Sequence, residues 1–339
     1  MTEYRSRMMQ LAFGPMIGHL IGTALRLGVL DRIGEGERSA EELAAEGKAD
    51  LQSTTRMLRA LTGIGLLAET APGTFAATET GAFLRTDHPE SMAFMVKLLT
   101  DPSMLRSWEH LGESVRTGEP YFATVFGKDY FSFLKDNPEL SEHFNIAMSQ
   151  GTRVTAQLLP KACDFGRFGV VADIGGGDGT LLAGILRAHP ALRGILYDSA
   201  EGLSQAGAKL ERAGLAGRCE LVAGDFFVSA PAGADAYVIK SVLHDWSDDQ
   251  AATILGHVRA VLPADGRVIV IETVLPDVAD DRQEGLNYMS DLNMLVNLGG
   301  RERTRDEFAE LFSRAGLSLA SVVPVGPQVP YCVIEAEAV

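Results

Sequence analysis

The chain has 339 residues, which predicts about two domains, and 46% of the residues are hydrophobic, enough for a sizeable core in each. Acidic residues outnumber basic ones by 45 to 30, giving a net charge of −15, so the chain is poorly suited to neutralising the phosphates of nucleic acid or of an anionic bilayer. We therefore expect neither nucleic acid nor a membrane as a partner.

The cysteines and the lengths of the apolar runs indicate the cellular compartment of the protein. The three cysteines, Cys163, Cys219 and Cys332, are widely spaced and form neither a disulfide framework nor a CxxC metal motif. Apolar runs stay below the ~18 residues of a membrane span, and the start of the chain lacks the apolar core of a secretory signal. These features predict a cytoplasmic protein without a metal site.

The first part of the chain is predicted to be mainly helical. Ser39 and Glu42 form a capping-box pattern, which predicts a helix beginning at Ala40. A second helix is predicted over 54–63, followed by a hairpin over 66–77 with its turn at Pro72-Gly73. Helix, helix and hairpin in this order are typical of a winged helix.

A winged helix raises the alternative of a DNA-binding regulator. Its candidate recognition helix offers only Arg56 and Arg59 within an acidic chain, which argues against that function. The segment from Met8 to Leu30 carries too many apolar residues for one helix face. We expect residues 1–100 to form a dimerisation domain, and 101–165 a helical connector.

From residue 166 the pattern changes to short apolar strands that alternate with helices, which predicts an α/β domain with a mostly parallel sheet. The predicted strands are 170–174, 194–197, 219–223, 235–240 and 267–273, with 317–325 and 329–335 as an antiparallel pair. The predicted helices are 180–187, 202–213, 248–262 and 305–315.

A glycine-rich turn follows the first of these strands. Asp173 precedes glycines at 175, 177 and 179, so the spacing is GxGxG rather than the GxGxxG of dinucleotide-binding proteins. The neighbouring acidic residues Asp173 and Asp178 disfavour a pyrophosphate and suit a cationic ligand such as S-adenosylmethionine. The alternative is that these glycines only form a tight turn.

Acidic residues also end the next two strands. Asp198 follows the second strand, where a carboxylate can accept hydrogen bonds from both ribose hydroxyls. Gly224, Asp225 and Phe226 follow the third strand and offer an acceptor and an apolar face for an adenine ring. Together with the glycine turn, these strand ends predict a nucleoside site.

The fourth strand ends at Lys240, and His244 follows it at the edge where such sheets bind ligands. Glu272 ends the fifth strand at the same edge, so we expect its carboxylate to orient the His244 imidazole. Glu302 is a second candidate for this role, with an exposed loop charge as the alternative. His19, His88, His110, His143, His189 and His257 lack such a context and are predicted to be structural or on the surface.

These motifs, spread over nearly the whole chain, resemble the S-adenosylmethionine-dependent small-molecule O-methyltransferases of the caffeate and hydroxyindole type, including bacterial natural-product tailoring enzymes. The motifs are DIGGGDG at 173–179, GDFF at 224–227, LHDW at 243–246 and GGRERT at 299–304. The resemblance implies a Rossmann-like methyltransferase domain over 166–339 with a seven-stranded sheet, preceded by the winged-helix dimerisation domain.

The resemblance also implies roles for individual residues. His244 would be the general base for an aromatic hydroxyl, braced by Glu272 and Glu302, with no metal. The residues implied to bind the cofactor are Asp173, Gly175, Gly177, Asp198, Gly224, Asp225, Phe226 and Lys240. The residues implied to line the acceptor pocket are Phe144, Asn145, Met148, Asn293 and Met294.

Three alternatives to methyl transfer remain open. Some relatives keep the fold but carry out decarboxylation or hydroxylation, against which the presence of His244 and Glu272 argues. A ligand-responsive regulator is opposed by the acidity of the chain. A nicotinamide-dependent reductase is opposed by the GxGxG spacing and by the lack of a Tyr-x-x-x-Lys pair near the sheet, where Glu201 and Ser241 follow Tyr197 and Tyr237.

Overall fold

A computed structural model describes residues 2–279 and 285–339 of the chain. The chain divides into two compact units that interleave along the sequence. Unit 1 comprises Met1–Arg106 and Asn137–Gly151, and unit 2 comprises Ser107–Asp136 and Thr152–Val339. The residues predicted as a connector, 101–165, are therefore shared between both units.

The helices are numbered in chain order. They are α1 (Thr2–Ala12), α2 (Gly14–Arg26), α3 (Val29–Ile33), α4 (Ala40–Gly47), α5 (Leu51–Gly63), α6 (Glu79–Ala82), α7 (Ala93–Leu99), α8 (Pro102–Trp108), α9 (Leu111–Thr117), α10 (Phe122–Phe126), α11 (Tyr130–Lys135), α12 (Pro138–Ala162), α13 (Thr180–Ala188), α14 (Ala206–Arg212), α15 (Asp248–Val261), α16 (Leu286–Asn297) and α17 (Arg305–Arg314).

The strands form two sheets. They are β1 (Glu37–Ser39), β2 (Leu67–Ala71), β3 (Thr74–Ala77), β4 (Val170–Ile174), β5 (Arg193–Asp198), β6 (Cys219–Ala223), β7 (Ala236–Lys240), β8 (Arg267–Leu275), β9 (Arg303–Thr304), β10 (Leu317–Pro324) and β11 (Tyr331–Ala338). Unit 1 holds the small sheet β1-β3-β2, and unit 2 holds the large sheet β10-β11-β8-β7-β4-β5-β6, to which β9 adds by pairing with β8.

Unit 1 contains the predicted helix, helix and hairpin. The Ser39 hydroxyl accepts a hydrogen bond from the Glu42 amide, and the Glu42 carboxylate accepts one from the Ser39 amide, so α4 begins at Ala40 as predicted. The hairpin β2–β3 follows α5, and β1 pairs with β3, which the sequence analysis did not predict. Leu25, Leu58 and Phe75 lie in the core of this unit.

The large sheet of unit 2 confirms the predicted α/β fold. Strands β6, β5, β4, β7 and β8 are parallel neighbours, while β11 pairs antiparallel with β8 and with β10. Buried apolar side chains cover both faces of the sheet, as expected for strands flanked by helices. The parallel strands bring Ile174, Asp198, Ala223 and Lys240 to one edge.

Within the described residues no single helix is long and apolar enough to cross a bilayer. Only α1 and α2 taken together, which meet at a 52° bend, reach the required length and composition.

Candidate active site

The histidine predicted as a base lies in a short turn, Leu243–Asp245, just beyond β7. Its Nδ1 is 3.0 Å from Glu302 Oε1, and its Nε2 is 3.5 Å from Asp245 Oδ1. Glu302 is the closer carboxylate and lies within hydrogen-bond distance, so we expect the neutral ring to carry its proton on Nδ1, which leaves Nε2 as the basic nitrogen. The Ser290 hydroxyl donates a 2.9 Å hydrogen bond to the same Glu302 oxygen and holds this carboxylate in place.

Glu302 is buried, with 4% of its surface exposed, so the alternative of an exposed loop charge is wrong. Strand β9 begins at the next residue, and its parallel pairing with β8 carries Glu302 to the sheet edge. The Glu302 amide donates a 2.8 Å hydrogen bond to Asp291 Oδ1 on α16. This carboxylate is therefore fixed from both its backbone and its side chain.

Glu272 differs from the prediction that it orients the imidazole. Its Oε1 accepts hydrogen bonds from the backbone amides of Val242, Leu243 and His244 at 3.2, 2.7 and 3.2 Å. The amides of this tight turn converge because successive N–H groups point to the same side, and a buried carboxylate is a suitable acceptor for them. Glu272 thus positions the turn that carries His244, and Glu302 contacts the ring.

Two residues of the GGRERT motif support the same turn. The fully buried guanidinium of Arg303 donates to the carbonyls of Leu243 and Trp246, both at 3.0 Å, and to Asp248. Gly300 packs against the turn so closely that a Cβ there would lie 2.0 Å from the His244 carbonyl oxygen. This motif therefore holds the turn that carries His244 in place, a role that was not predicted from the sequence.

The charges around His244 determine its protonation. Burial lowers the pKa of His244, but the carboxylates of Asp245 and Glu302 outweigh that effect and raise the pKa to about 10. Burial, together with Glu272 and Glu302, raises the pKa of Asp245 to about 7. The acidic surroundings thus favour the imidazolium and make the neutral ring a strong base.

The glycine turn has the backbone geometry that its sequence predicts. Gly175, Gly177 and Gly179 all have positive φ, at 69°, 55° and 76°, which is unfavourable for residues with a side chain. The Gly177 amide donates a 2.9 Å hydrogen bond to Asp198 Oδ2, which ties the turn to the end of β5. Burial raises the pKa of Asp198.

Asp173 lies just before this turn and is almost fully buried, and its Oδ2 has no hydrogen-bond partner among the described residues. Burial, with the charge of Asp198 nearby, raises the pKa of Asp173 to about 7, against an opposing effect of Lys240. The Lys240 ammonium bonds to Ser241 Oγ at 3.1 Å and lies 4.5 Å from the Tyr331 ring centre. Asp173 Oδ2 is thus available to accept a hydrogen bond from a ligand.

At the end of β6, Asp225 is exposed and accepts a 2.8 Å hydrogen bond from the Phe227 amide. Gly224 leaves room for Tyr197, whose hydroxyl would lie 2.3 Å from a Cβ at this position. Asp173 near the end of β4, Asp198 at the end of β5 and Asp225 just after β6 thus lie at the carboxyl ends of adjacent parallel strands, as predicted.

An aromatic cluster beside these strand ends was not predicted. Trp246 packs against Phe131, Phe226 and Phe227, with ring centres 5.4, 6.2 and 4.7 Å away. The buried Trp246 Nε1 has no hydrogen-bond partner among the described residues. The tryptophan of the LHDW motif could have indicated an aromatic cluster here. The contribution of Phe131 could not be predicted, because this residue is distant in the chain.

The residues predicted for the acceptor pocket fall into two groups. Asn293 and Met294 lie on α16 in unit 2, the unit that contains His244. Phe144, Asn145 and Met148 lie on α12, in the part that belongs to unit 1. Their role in acceptor binding stays a prediction.

The structure shows no group of three or more His, Cys, Asp or Glu side chains suited to a metal within 2–279 and 285–339.

Two family models match the chain. Residues 108–318 match an O-methyltransferase domain, and residues 9–87 match an O-methyltransferase dimerisation domain. The chain is 43% identical to O-demethylpuromycin-O-methyltransferase of Streptomyces alboniger over 98% of its own length and 89% of that protein.

Solved structures show the same similarity. The mitomycin 7-O-methyltransferase MmcR superposes with a TM-score of 0.93 and 34% identity, covering 100% of this chain and 98% of that one. NcsB1, an O-methyltransferase from neocarzinostatin biosynthesis solved with S-adenosylmethionine and 2-hydroxy-5-methyl naphthoic acid, gives a TM-score of 0.82 and 32% identity, covering 95% and 96%.

Proposed function

Because the chain belongs to the O-methyltransferase family with an N-terminal dimerisation domain, we propose that it methylates a hydroxyl of an aromatic small molecule, with S-adenosylmethionine as donor and His244 as general base. The observation that carries the proposal is the 3.0 Å contact of His244 with the buried Glu302 at the carboxyl edge of the sheet. Support comes from two solved relatives, one a mitomycin O-methyltransferase and the other an O-methyltransferase solved with a naphthoic acid.

The residues at the strand ends fit S-adenosylmethionine. Asp198 and the exposed Asp225 can accept hydrogen bonds from its hydroxyl and amino groups, and Phe226 offers an apolar surface to the base. The buried, unpartnered Asp173 Oδ2 and the open backbone at Gly177 suit its cationic methionine part. When bound, this cofactor supplies a methyl group activated by a sulfonium.

The protein has to bring the acceptor oxygen into line and remove its proton. A phenol with a pKa near 10 requires roughly 3 × 1.36, or ~4 kcal/mol, to ionise at pH 7. His244 Nε2 can take this proton during transfer, while Glu302 stabilises the imidazolium through Nδ1. Before doing so, His244 has to be neutral. The positive charge of bound S-adenosylmethionine would lower the pKa of His244 and so favour the neutral ring.

We further propose that the chain acts as a homodimer, as its dimerisation domain suggests. Apolar side chains at the start of the chain support this proposal, because they are exposed in the single chain. They are Tyr4, Met8, Met9, Leu11, Phe13 and Met16.

The test of the proposed activity is incubation with methyl-labelled S-adenosylmethionine and a panel of phenols, naphthols and hydroxyquinones. We expect a labelled methyl ether from at least one acceptor, and a loss on the order of 10²-fold in kcat for His244→Ala. Calorimetry should show that this variant still binds S-adenosylhomocysteine. Cofactor binding without methylation of any acceptor would favour a non-methylating relative, and full activity of His244→Ala would exclude it as the base.

A further inference from the structure

Helix α16 presents three polar side chains on the face that reaches the catalytic pair. Ser290, Asn293 and Asn297 follow a spacing of three and four residues, which places them on one side of the helix. Ser290 bonds to Glu302, which contacts His244. Asn293 therefore lies one helical turn, or about 5 Å along the axis, from the residue that anchors the catalytic carboxylate.

The orientation of the Asn293 amide is fixed by two donors. The Trp108 indole N–H donates to Asn293 Oδ1 at 3.0 Å, and Asn297 Nδ2 donates to the same oxygen at 2.9 Å. An indole nitrogen can only donate, so the atom that faces it has to be the amide oxygen. Asn297 is held in turn by its second contact, to the Asn293 carbonyl at 3.3 Å.

This arrangement leaves the other end of Asn293 available. Its Nδ2 donates no hydrogen bond to any described residue, and it is not among the fully buried unsatisfied atoms. The site thus presents an N–H₂ donor, in a fixed direction, one helical turn from the Ser290–Glu302–His244 contacts. A donor held in this way is complementary to an oxygen with lone pairs.

The carboxyl groups around His244 determine which kind of acceptor oxygen is favoured. Asp245 Oδ1 and Glu302 Oε1 lie 3.5 and 3.0 Å from the two ring nitrogens of His244, and Asp291 accepts a 2.8 Å hydrogen bond from the Glu302 amide, so three carboxyl groups are close together here. A carboxylate on the acceptor would be repelled by these groups, whereas a neutral carbonyl would not.

Resting on the proposed function, we propose that Trp108 and Asn297 orient Asn293 so that its amide nitrogen selects acceptors that carry a neutral carbonyl, an aryl ketone or quinone, in addition to the hydroxyl that is methylated. Asn293 is then a specificity-determining residue, and Trp108 is a positioning residue that acts through it.

The test compares three ligands by calorimetry on the full-length protein saturated with S-adenosylhomocysteine. 6-Hydroxy-1-tetralone and 7-hydroxy-1-tetralone carry the ketone at two distances from the phenol, and 5,6,7,8-tetrahydro-2-naphthol has the same skeleton without it. We expect at least one ketone to bind about tenfold or more tightly than the naphthol. Equal binding of all three, or binding of none, would overturn the proposal.

Two variants test the residues. Asn293→Asp, which replaces the donor by an acceptor, should abolish the preference for the ketone. Trp108→Phe keeps the aromatic ring but removes the N–H, and should reduce the preference about threefold or more, with unchanged affinity for the naphthol and for S-adenosylhomocysteine. If either variant weakened ketone and naphthol binding equally, these residues would have only a structural role.

The binding readout separates this proposal from the proposed function. A protein that binds the ketone selectively through Asn293 but methylates no acceptor would contradict the proposed activity and leave the selectivity standing. A protein that methylates ketone and naphthol with equal kcat/KM would support the activity and overturn the selectivity.

Discussion

The contact between His244 and Glu302 combines two effects, orientation of the ring and stabilisation of its charge. Glu302 holds Nδ1 at 3.0 Å, and its charge contributes to the raised pKa of His244. As a base, His244 works only in its neutral form, so kcat/KM should rise with pH until the ring is deprotonated. The two effects can be separated by their pH dependence.

Glu302→Gln removes the charge but keeps a group that can accept a hydrogen bond. Its acid limb of kcat/KM should move to lower pH by on the order of one unit, because the imidazolium loses a stabilising carboxylate. The maximum rate should fall about tenfold or more. The measurement is a pH profile from 6 to 10, with the exposed Glu310→Gln on α17 as the matched control. An unshifted limb would mean that Glu302 does not act on this titration.

Asp173 is expected to oppose folding at neutral pH in the cofactor-free protein. A carboxyl whose pKa rises from 3.8 to about 7 on folding binds its proton more tightly in the folded state. The unfolded state then holds fewer protons between these values, so the free energy of unfolding decreases as pH rises from about 4 to 7.

Asp173→Asn removes this titration. At pH 8 the variant should be more stable than the wild type, by up to about 4 kcal/mol, and this advantage should shrink at pH 5.5. Urea unfolding at both pH values provides the measurement, and Asp306→Asn at an exposed position of α17 is the control. A stability difference that is the same at both pH values would rule out the titration of Asp173 as its cause.

At the scale of elements, the histidine turn depends on the close approach of the GGRERT segment. A Cβ at Gly300 would lie 2.0 Å from the His244 carbonyl oxygen and 2.6 Å from the Trp246 amide nitrogen, and backbone atoms have little freedom to move aside. Gly300→Ala should therefore displace the turn, destabilise the protein by roughly 1–3 kcal/mol and lower kcat.

The control for that substitution is Gly256→Ala in α15, where an added methyl meets no atom within 4 Å. This change should raise stability slightly, since alanine is favoured over glycine in a helix, and should leave kcat unchanged. Thermal unfolding and initial rates on both variants give the comparison. Wild-type stability and turnover in Gly300→Ala would show that the turn tolerates the shift.

The strand ends of the site could be predicted because they depend on local patterns. Apolar runs ending in Asp173, Asp198 and Lys240 indicate parallel strands, and parallel strands place their carboxyl ends at one edge. Helix α16 was not predicted, since Ser290 and Asn293 face the site and interrupt its apolar stripe.

The pairing of His244 with Glu302 rather than Glu272 could not be predicted either. It depends on β9, a strand of two residues whose pairing with β8 is a long-range contact. Nothing local in the sequence indicates this choice, because Glu272 lies in the easily recognised strand β8, whereas Glu302 precedes a strand that is too short to produce a pattern.

For the whole molecule, the main feature without a packing partner in the single chain is the exposed apolar surface at the start of the chain. Leu25, Val29 and Leu30 are buried within unit 1, as expected for one apolar face, whereas Met8 and Leu11 on α1 are 64% and 63% exposed. Exposed apolar patches of this kind usually mark an interface. A second copy of the chain can cover the patch symmetrically.

We therefore expect light scattering to give about twice the chain mass of 36.3 kDa. Met8→Glu combined with Leu11→Glu should produce monomers with unchanged circular dichroism, because the charges are placed in the interface and not in the core of unit 1. Met92→Glu changes a methionine of the same unit that is also exposed, at 49%, and should leave the dimer intact. If the double variant stayed dimeric, or if the wild type were a monodisperse monomer at micromolar concentration, this surface would not be the dimer interface.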